Sequence, residues 1–228
     1  MDIIFPEYEE FHTKVLFYRI PKNASTSIYN HLGKANIINQ KINETEKLKI
    51  KSNTYSFSKP DECERLIIRT GLKNYFSFCV VRNPWDRAVS MFFHYKKDNS
   101  FFLKYFNISL GLDFCSFLKE IKKNINNPLF ETFKCQYLWT IGKNPPKQIL
   151  RFENLSKEFE KMIKDRGIIC VNPNLPHENK TEHNHYSFYY NKTSKKIVSD
   201  LYKEDITRFG YSFEEEIKTK KPKGFITI

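Results

Sequence analysis

Tyr75-Phe76-Ser77-Phe78-Cys79-Val80-Val81-Arg82-Asn83-Pro84-Trp85-Asp86-Arg87 is the stretch on which the fold turns. Its first seven residues are aromatic and β-branched, the composition of a strand buried on both faces. Pro84 cannot give an N–H to a sheet ladder and presets the φ of a first helical turn, so the strand stops there and a helix over 85–97 begins. The unit is strand, tight turn, helix.

Upstream the same unit recurs. Residues 14–20, Lys-Val-Leu-Phe-Tyr-Arg-Ile, form a short apolar run closed by Pro21, and a helical stretch over 26–32 follows, with Gly33 as its stop. Ser58 caps a helix from 59 that carries Pro60, Asp61 and Glu62 in its first turn and ends at Gly71. Residues 37–57 are polar and irregular. Helical spacing recurs over 114–125 and 130–139, a third strand over 148–152 leads into a helix over 155–166, and a last helix spans 194–209. Strands alternating with helices predict an α/β fold of three layers, P-loop-like, with a mainly parallel central sheet flanked by helices. With 228 residues, 40% of them hydrophobic and 16% aromatic, the chain fits one domain with its core at about 14–211 and a basic tail at 218–228.

The charge is +12, but only 8 of the 38 cationic residues are Arg, and the lysines are spread along the chain. Such dispersion fits a solvated surface or an anionic partner and does not give the clustered, aromatic-interleaved face of a nucleic-acid binder. The five cysteines, Cys63, Cys79, Cys115, Cys135 and Cys170, show no zinc-ligand spacing and no even disulfide set. Neither a leader-like N-terminal pattern nor an apolar run of about 20 residues is present, so the expected location is cytoplasmic, with no membrane span. No metal site is expected either, since His177, His183 and His185 lack accompanying ligands.

In open α/β sheets, anions bind beyond the carboxyl ends of strands, where helix N-termini offer free amides. Ile20-Pro21-Lys22-Asn23-Ala24-Ser25-Thr26-Ser27 occupies such a place, with one ammonium, three hydroxyls and a run of backbone donors. Lys22 stands at the front of this loop, which has no glycine, whereas a nucleotide P-loop ends on its Lys and relies on glycines. A kinase of that type is therefore disfavoured. At the second junction Arg82 ends a strand and Ser90 follows about two helical turns later, a planar fork and a hydroxyl suited to another phosphate. Asp86 is placed to orient Arg82 or Arg87.

These junctions resemble those of the sulfotransferases, specifically the family-2, carbohydrate type. The first is similar to the loop that holds a 5'-phosphosulfate; the second is similar to the element that recognises a 3'-phosphate. Leu150-Arg151-Phe152-Glu153-Asn154-Leu155, Leu175-Pro176-His177-Glu178-Asn179 and residues 202–211 extend the resemblance across about 14–211. It implies PAPS (3'-phosphoadenosine 5'-phosphosulfate) as donor, PAP as product, no metal, and a hydroxyl-bearing acceptor such as a carbohydrate. The residues it implies for the donor are Lys22, Asn23, Ala24, Ser25, Thr26, Ser27, Arg82 and Ser90, with Lys22 also catalytic.

The histidine base of relatives has no counterpart, because the corresponding neighbourhoods read Tyr55-Ser56-Phe57-Ser58 and Glu131-Thr132-Phe133-Lys134-Cys135-Gln136. Glu131 is the first candidate for the base and His94 the second. Glu153, at a strand end, is placed to orient Arg151 or to meet the acceptor. Sugar, lipid-linked glycan and small alcohol all remain open as acceptors.

Overall fold

The computed structural model describes residues 2–4, 14–28, 75–97, 111–168 and 184–214. Four strands form one sheet in the order β1 (Asp2–Ile4), β2 (Lys14–Tyr18), β3 (Tyr75–Val81) and β4 (Gln148–Arg151). β2, β3 and β4 are parallel, with Phe17 opposite Phe78 and Val80 opposite Leu150, while β1 runs antiparallel along the edge of β2. The mainly parallel α/β sheet expected from the alternation of strands and helices is the one formed. β1 adds an edge that its own residues do not announce, since three residues are too few to display a period of two.

Period-two alternation along β3 sends its side chains into two different cores. Phe76, Phe78 and Val80 join Val15, Phe17, Ile28 and Leu150 on one face, where α3 (Leu155–Asp165) lays down Phe159, Met162 and Ile163. The Phe17 and Phe78 rings stack at 4.7 Å across the β2–β3 pair. On the other face Cys79 and Val81, with Leu16, Tyr18 and Ile20, pack against Trp139. Both faces are thus covered, giving the three layers. Burying each of these Phe side chains contributes roughly 1.5–3 kcal/mol.

Beyond the carboxyl ends of the strands the helices make an aromatic core of their own. α1 (Pro84–Lys97), α2 (Phe114–Asn124) and α4 (Lys192–Leu201) enclose Trp85, Phe92, Phe114, Phe117, Phe133 and Tyr202. Phe92 meets Phe114 and Phe117 edge-on at 5.4 Å, the arrangement ring quadrupoles favour.

Two helices expected from spacing are broken, each for a visible reason. Over 130–139 the chain makes two 3-10 turns, Pro128–Phe133 and Gln136–Trp139, with Lys134 and Cys135 extended between them. Arg87 takes the carbonyls of Thr132 and Lys134, while Asp205 takes the amides of Gln136 and Tyr137. Groups that would have formed a continuous helical ladder are engaged elsewhere. Likewise 194–209 divides at Tyr202 into α4, which starts earlier under an Asn191–Ser194 capping box, and α5 (Lys203–Phe209). The expected helix after Ser58, the 37–57 excursion, Leu175 to Asn179 with His177, His183 and the 218–228 tail lie outside the described residues.

Candidate active site

The loop after β2 is folded against the preferences of its own backbone. Lys22 and Ala24 have φ of 67° and 57°, left-handed values that cost a side-chain-bearing residue about 1–2 kcal/mol each. Glycine would adopt them freely, yet none is present. Buried donors hold the loop instead. The Asn23 amide Nδ2 donates to Val80 O at 2.7 Å and to Gln136 Oε1 at 2.6 Å. Arg87 Nε donates to Pro21 O at 3.1 Å, and Arg82 Nη1 to Lys22 O at 3.0 Å.

This strained turn feeds directly into a helix start. Ala24 O accepts the Ile28 amide at 3.0 Å, so Ala24 is the cap, and the amides of Ser25, Thr26 and Ser27 belong to the first turn, where no intrahelical acceptor exists. Thr26 is exposed, and Ser25 and Ser27 are buried. Asn23, expected to meet the donor, is 1% exposed and its Nδ2 is committed to anchoring the loop.

Arg82 reaches the same loop from the second junction. Its Nε forms an ion pair with Asp86 Oδ2 at 2.7 Å, and its guanidinium lies 4.0 Å from the Phe152 ring centroid. Asp86 therefore orients Arg82, not Arg87. Of the five guanidinium N–H groups, those not given to Asp86 and Lys22 O remain for a ligand among the described residues. Asp86 and Ser90 are one turn apart on α1 and share a face. Crowding has an electrostatic mark: burial, and then the adjacent Arg82 charge, lower the Lys22 ammonium from its usual value to about 8. Two cations side by side fit an anion between them.

The base candidates lie on α1 and on the first 3-10 turn. His94 continues the Asp86–Ser90 stripe, exposed, about 12 Å along the helix axis from Asp86. Glu131 lies in the 3-10 turn beside Arg87's carbonyl partners and is paired with Lys134 at 2.7 Å. Glu153 accepts the Asn83 amide at 2.6 Å and the Tyr211 hydroxyl at 3.1 Å, tying the end of β4 to the start of α1. Arg151 donates to Phe209 O at 2.6 Å and lies over the Tyr211 ring, 5.0 Å from its centroid.

Three residues central to this geometry are not read as such from the sequence. Arg87 resembles a surface cation, but Pro84, three residues before it, and Met91, four after, mark the buried face of α1 and could have placed it there. Gln136 and Asp205 carry no local signal, for their partners are more than fifty residues away.

A family model described as the sulfotransferase family matches residues 8–212. The chain belongs to the sulfotransferase family. Sulfuryl transfer to a hydroxyl-bearing acceptor is accordingly its general chemistry. Curated protein sequences yield no match to this family member. Among solved structures, a sulfotransferase from Alicyclobacillus acidocaldarius is similar at 14% identity and a TM-score of 0.41, covering 85% of this chain and 83% of that one. Among the described residues, no helix of this sulfotransferase is long and apolar enough to cross a membrane, and no cluster of three His, Cys, Asp or Glu side chains could hold a metal ion.

Proposed function

We propose that this sulfotransferase moves a sulfuryl group from PAPS to a hydroxyl of a carbohydrate acceptor and releases PAP, in the cytoplasm. The observation that carries the donor assignment is the contact of the two junctions: Arg82 Nη1 lies 3.0 Å from Lys22 O, so the expected 5'- and 3'-phosphate sites border one space. The first-turn amides with Ser25, Thr26 and Ser27 would hold the 5'-phosphate, and Arg82 with Ser90 the 3'-phosphate. The carbohydrate class rests on resemblance to the carbohydrate-type enzymes. Free Cys79, Cys115 and Cys135 fit a reducing compartment.

In this reading the acceptor oxygen attacks sulfur in line as the bond from sulfur to the 5'-phosphate oxygen breaks. Negative charge grows on that leaving oxygen. The Lys22 ammonium, held beside it by a rigid loop, stabilises the charge where it develops. A base removes the acceptor's proton, and Glu131 and His94 are the candidates. For Glu131 this role requires leaving its ion pair with Lys134.

Calorimetry with adenosine 3',5'-bisphosphate tests the donor assignment. Binding should be stronger than that of ATP and should weaken about tenfold or more in Arg82→Ala, the loss expected for a charge-assisted phosphate contact. An equal preference for ATP, or full affinity in Arg82→Ala, would remove the 3'-phosphate site.

The Lys22 titration supplies a second test. Bound phosphate favours the ammonium, so the complex takes up protons wherever free Lys22 has lost its own, which begins near its value of about 8. Affinity should be level near pH 7 and fall as pH rises above 8. At pH 9, two buffers of different ionisation enthalpy should show uptake of about one proton per site. No uptake would mean that Lys22 does not meet the ligand.

A further inference from the structure

The Gln136 carboxamide lies at the join between the two halves of the site and is fully buried. Its Oε1 accepts from Asn23 Nδ2 in the first loop at 2.6 Å and from the Arg82 amide at 2.9 Å. Its Nε2 donates to Arg82 O at 2.8 Å. One planar group thus holds both the N–H and the C=O of the residue that follows β3, together with the anchor of the Lys22 loop. No other side chain among the described residues bonds to the backbone of Arg82 and to Asn23 alike.

Gln136 is itself fixed from behind. Asp205 Oδ2 accepts its amide at 2.8 Å, and Asp205 Oδ1 accepts the next amide, Tyr137, also at 2.8 Å. That fork pins the start of the 3-10 turn, so the carboxamide has little freedom to slide. Asn23 shows the force of the constraint. Its Nδ2 faces two acceptors, Val80 O and Gln136 Oε1, while its own Oδ1 is buried with no hydrogen-bond partner among the described residues. Leaving such an atom unpaired costs about 1–3 kcal/mol in general. The loop is therefore set by what Gln136 accepts.

We infer that Gln136, braced by Asp205, is the positioning residue that fixes the separation of the two phosphate cradles, and so makes the site selective for a nucleotide phosphorylated at both ends. This rests on the donor reading above and deepens it. Two anion sites on one rigid frame act as a chelate: the second phosphate binds at a high effective concentration only if the spacing is held. Releasing the frame should cost the bisphosphate its advantage while leaving each site able to take a single phosphate.

The test compares dissociation constants of adenosine 3',5'-bisphosphate, adenosine 5'-monophosphate and adenosine 3'-monophosphate for the full chain. In the unaltered protein the bisphosphate should bind about 100-fold or more tightly than either monophosphate, the lower range of such chelate gains. In Gln136→Met, of similar volume but without the hydrogen bonds, that ratio should fall about tenfold or more, with the 5'-monophosphate changing less than about threefold. A general loss of structure would weaken all three ligands alike and leave the ratio standing. Should Gln136→Met not fold, Gln136→Glu carries the comparison: it sets an anionic oxygen against Arg82 O where the donor stood, so the two acceptors repel, the Arg82 end is pushed away from the Asn23 loop, and the same selective fall should appear. A ratio preserved in the folded variant overturns the role of Gln136 alone. No bisphosphate preference in the unaltered protein overturns the donor reading and this inference together.

Discussion

Lys22→Ala should lower turnover at saturating donor by about 100- to 1,000-fold, the range found when one donor to a developing oxyanion is removed, while the protein stays folded. Both halves of that expectation come from the same local physics. The ammonium is held where burial and Arg82 disfavour its charge, so it contributes nothing favourable to the stability of the empty protein. The sign follows from the titration. A lysine whose folded value lies below its unfolded one binds fewer protons when folded, so it weakens the fold below about pH 8 and ceases to do so once pH passes the unfolded value. At pH 7 the alanine variant should melt no lower than the parent.

The positive φ at this position offers a control. Lys22→Gly removes the same ammonium but suits the 67° backbone angle, so it should be equally inactive and more stable than Lys22→Ala by about 1 kcal/mol. Measuring PAP release at saturating PAPS and thermal unfolding for both variants checks the pair. Parental turnover in either would refute the catalytic role of Lys22; a marked fall in melting temperature for both would make the residue structural.

Much of this site is legible in the sequence, because it is built from local signals. Lys22, Arg82 and Ser90 each follow a strand by a fixed short count, and Pro21 and Pro84 mark where those strands stop. The parallel pairing of β2 with β3 then brings the two strand ends together without further instruction. What joins the junctions is not local. Gln136 reaches Arg82 across 54 positions, and Asp205 reaches Gln136 across 69. No periodicity connects positions so far apart. The same long-range bonds explain the misread helix at 130–139, whose residues have helical spacing but whose amides and carbonyls are claimed by Asp205 and Arg87. The loop's left-handed residues are hidden for a related reason: without glycine, a sequence gives no sign that φ will be positive, and only the buried donors from elsewhere make it so.

Arg87 carries the largest expected effect on stability, although it belongs to neither phosphate cradle. It is 1% exposed, and its guanidinium donates to Pro21 O, Thr132 O and Lys134 O at 3.0–3.1 Å, with the Tyr202 ring 5.7 Å away. One side chain therefore satisfies the Lys22 loop, the end of the first 3-10 turn and the start of the break that follows it. Burial works against its charge, opposed by nearby Tyr202 and Asp205. Arg87→Ala would leave three carbonyls without a donor, open a cavity, and strip Asp205 of a neighbouring cation. Removing one member of such a buried charged network costs about 3–5 kcal/mol, a large part of the roughly 5–15 kcal/mol that holds a domain folded. The melting temperature should fall by on the order of 10 °C. Arg87→Lys should recover little, because a single ammonium cannot present the planar fork that reaches carbonyls on two segments. Denaturant unfolding of the two variants decides the matter: a loss under about 1 kcal/mol in Arg87→Ala, or full recovery in Arg87→Lys, would show that the loop and the 3-10 turns are held by something other than this guanidinium.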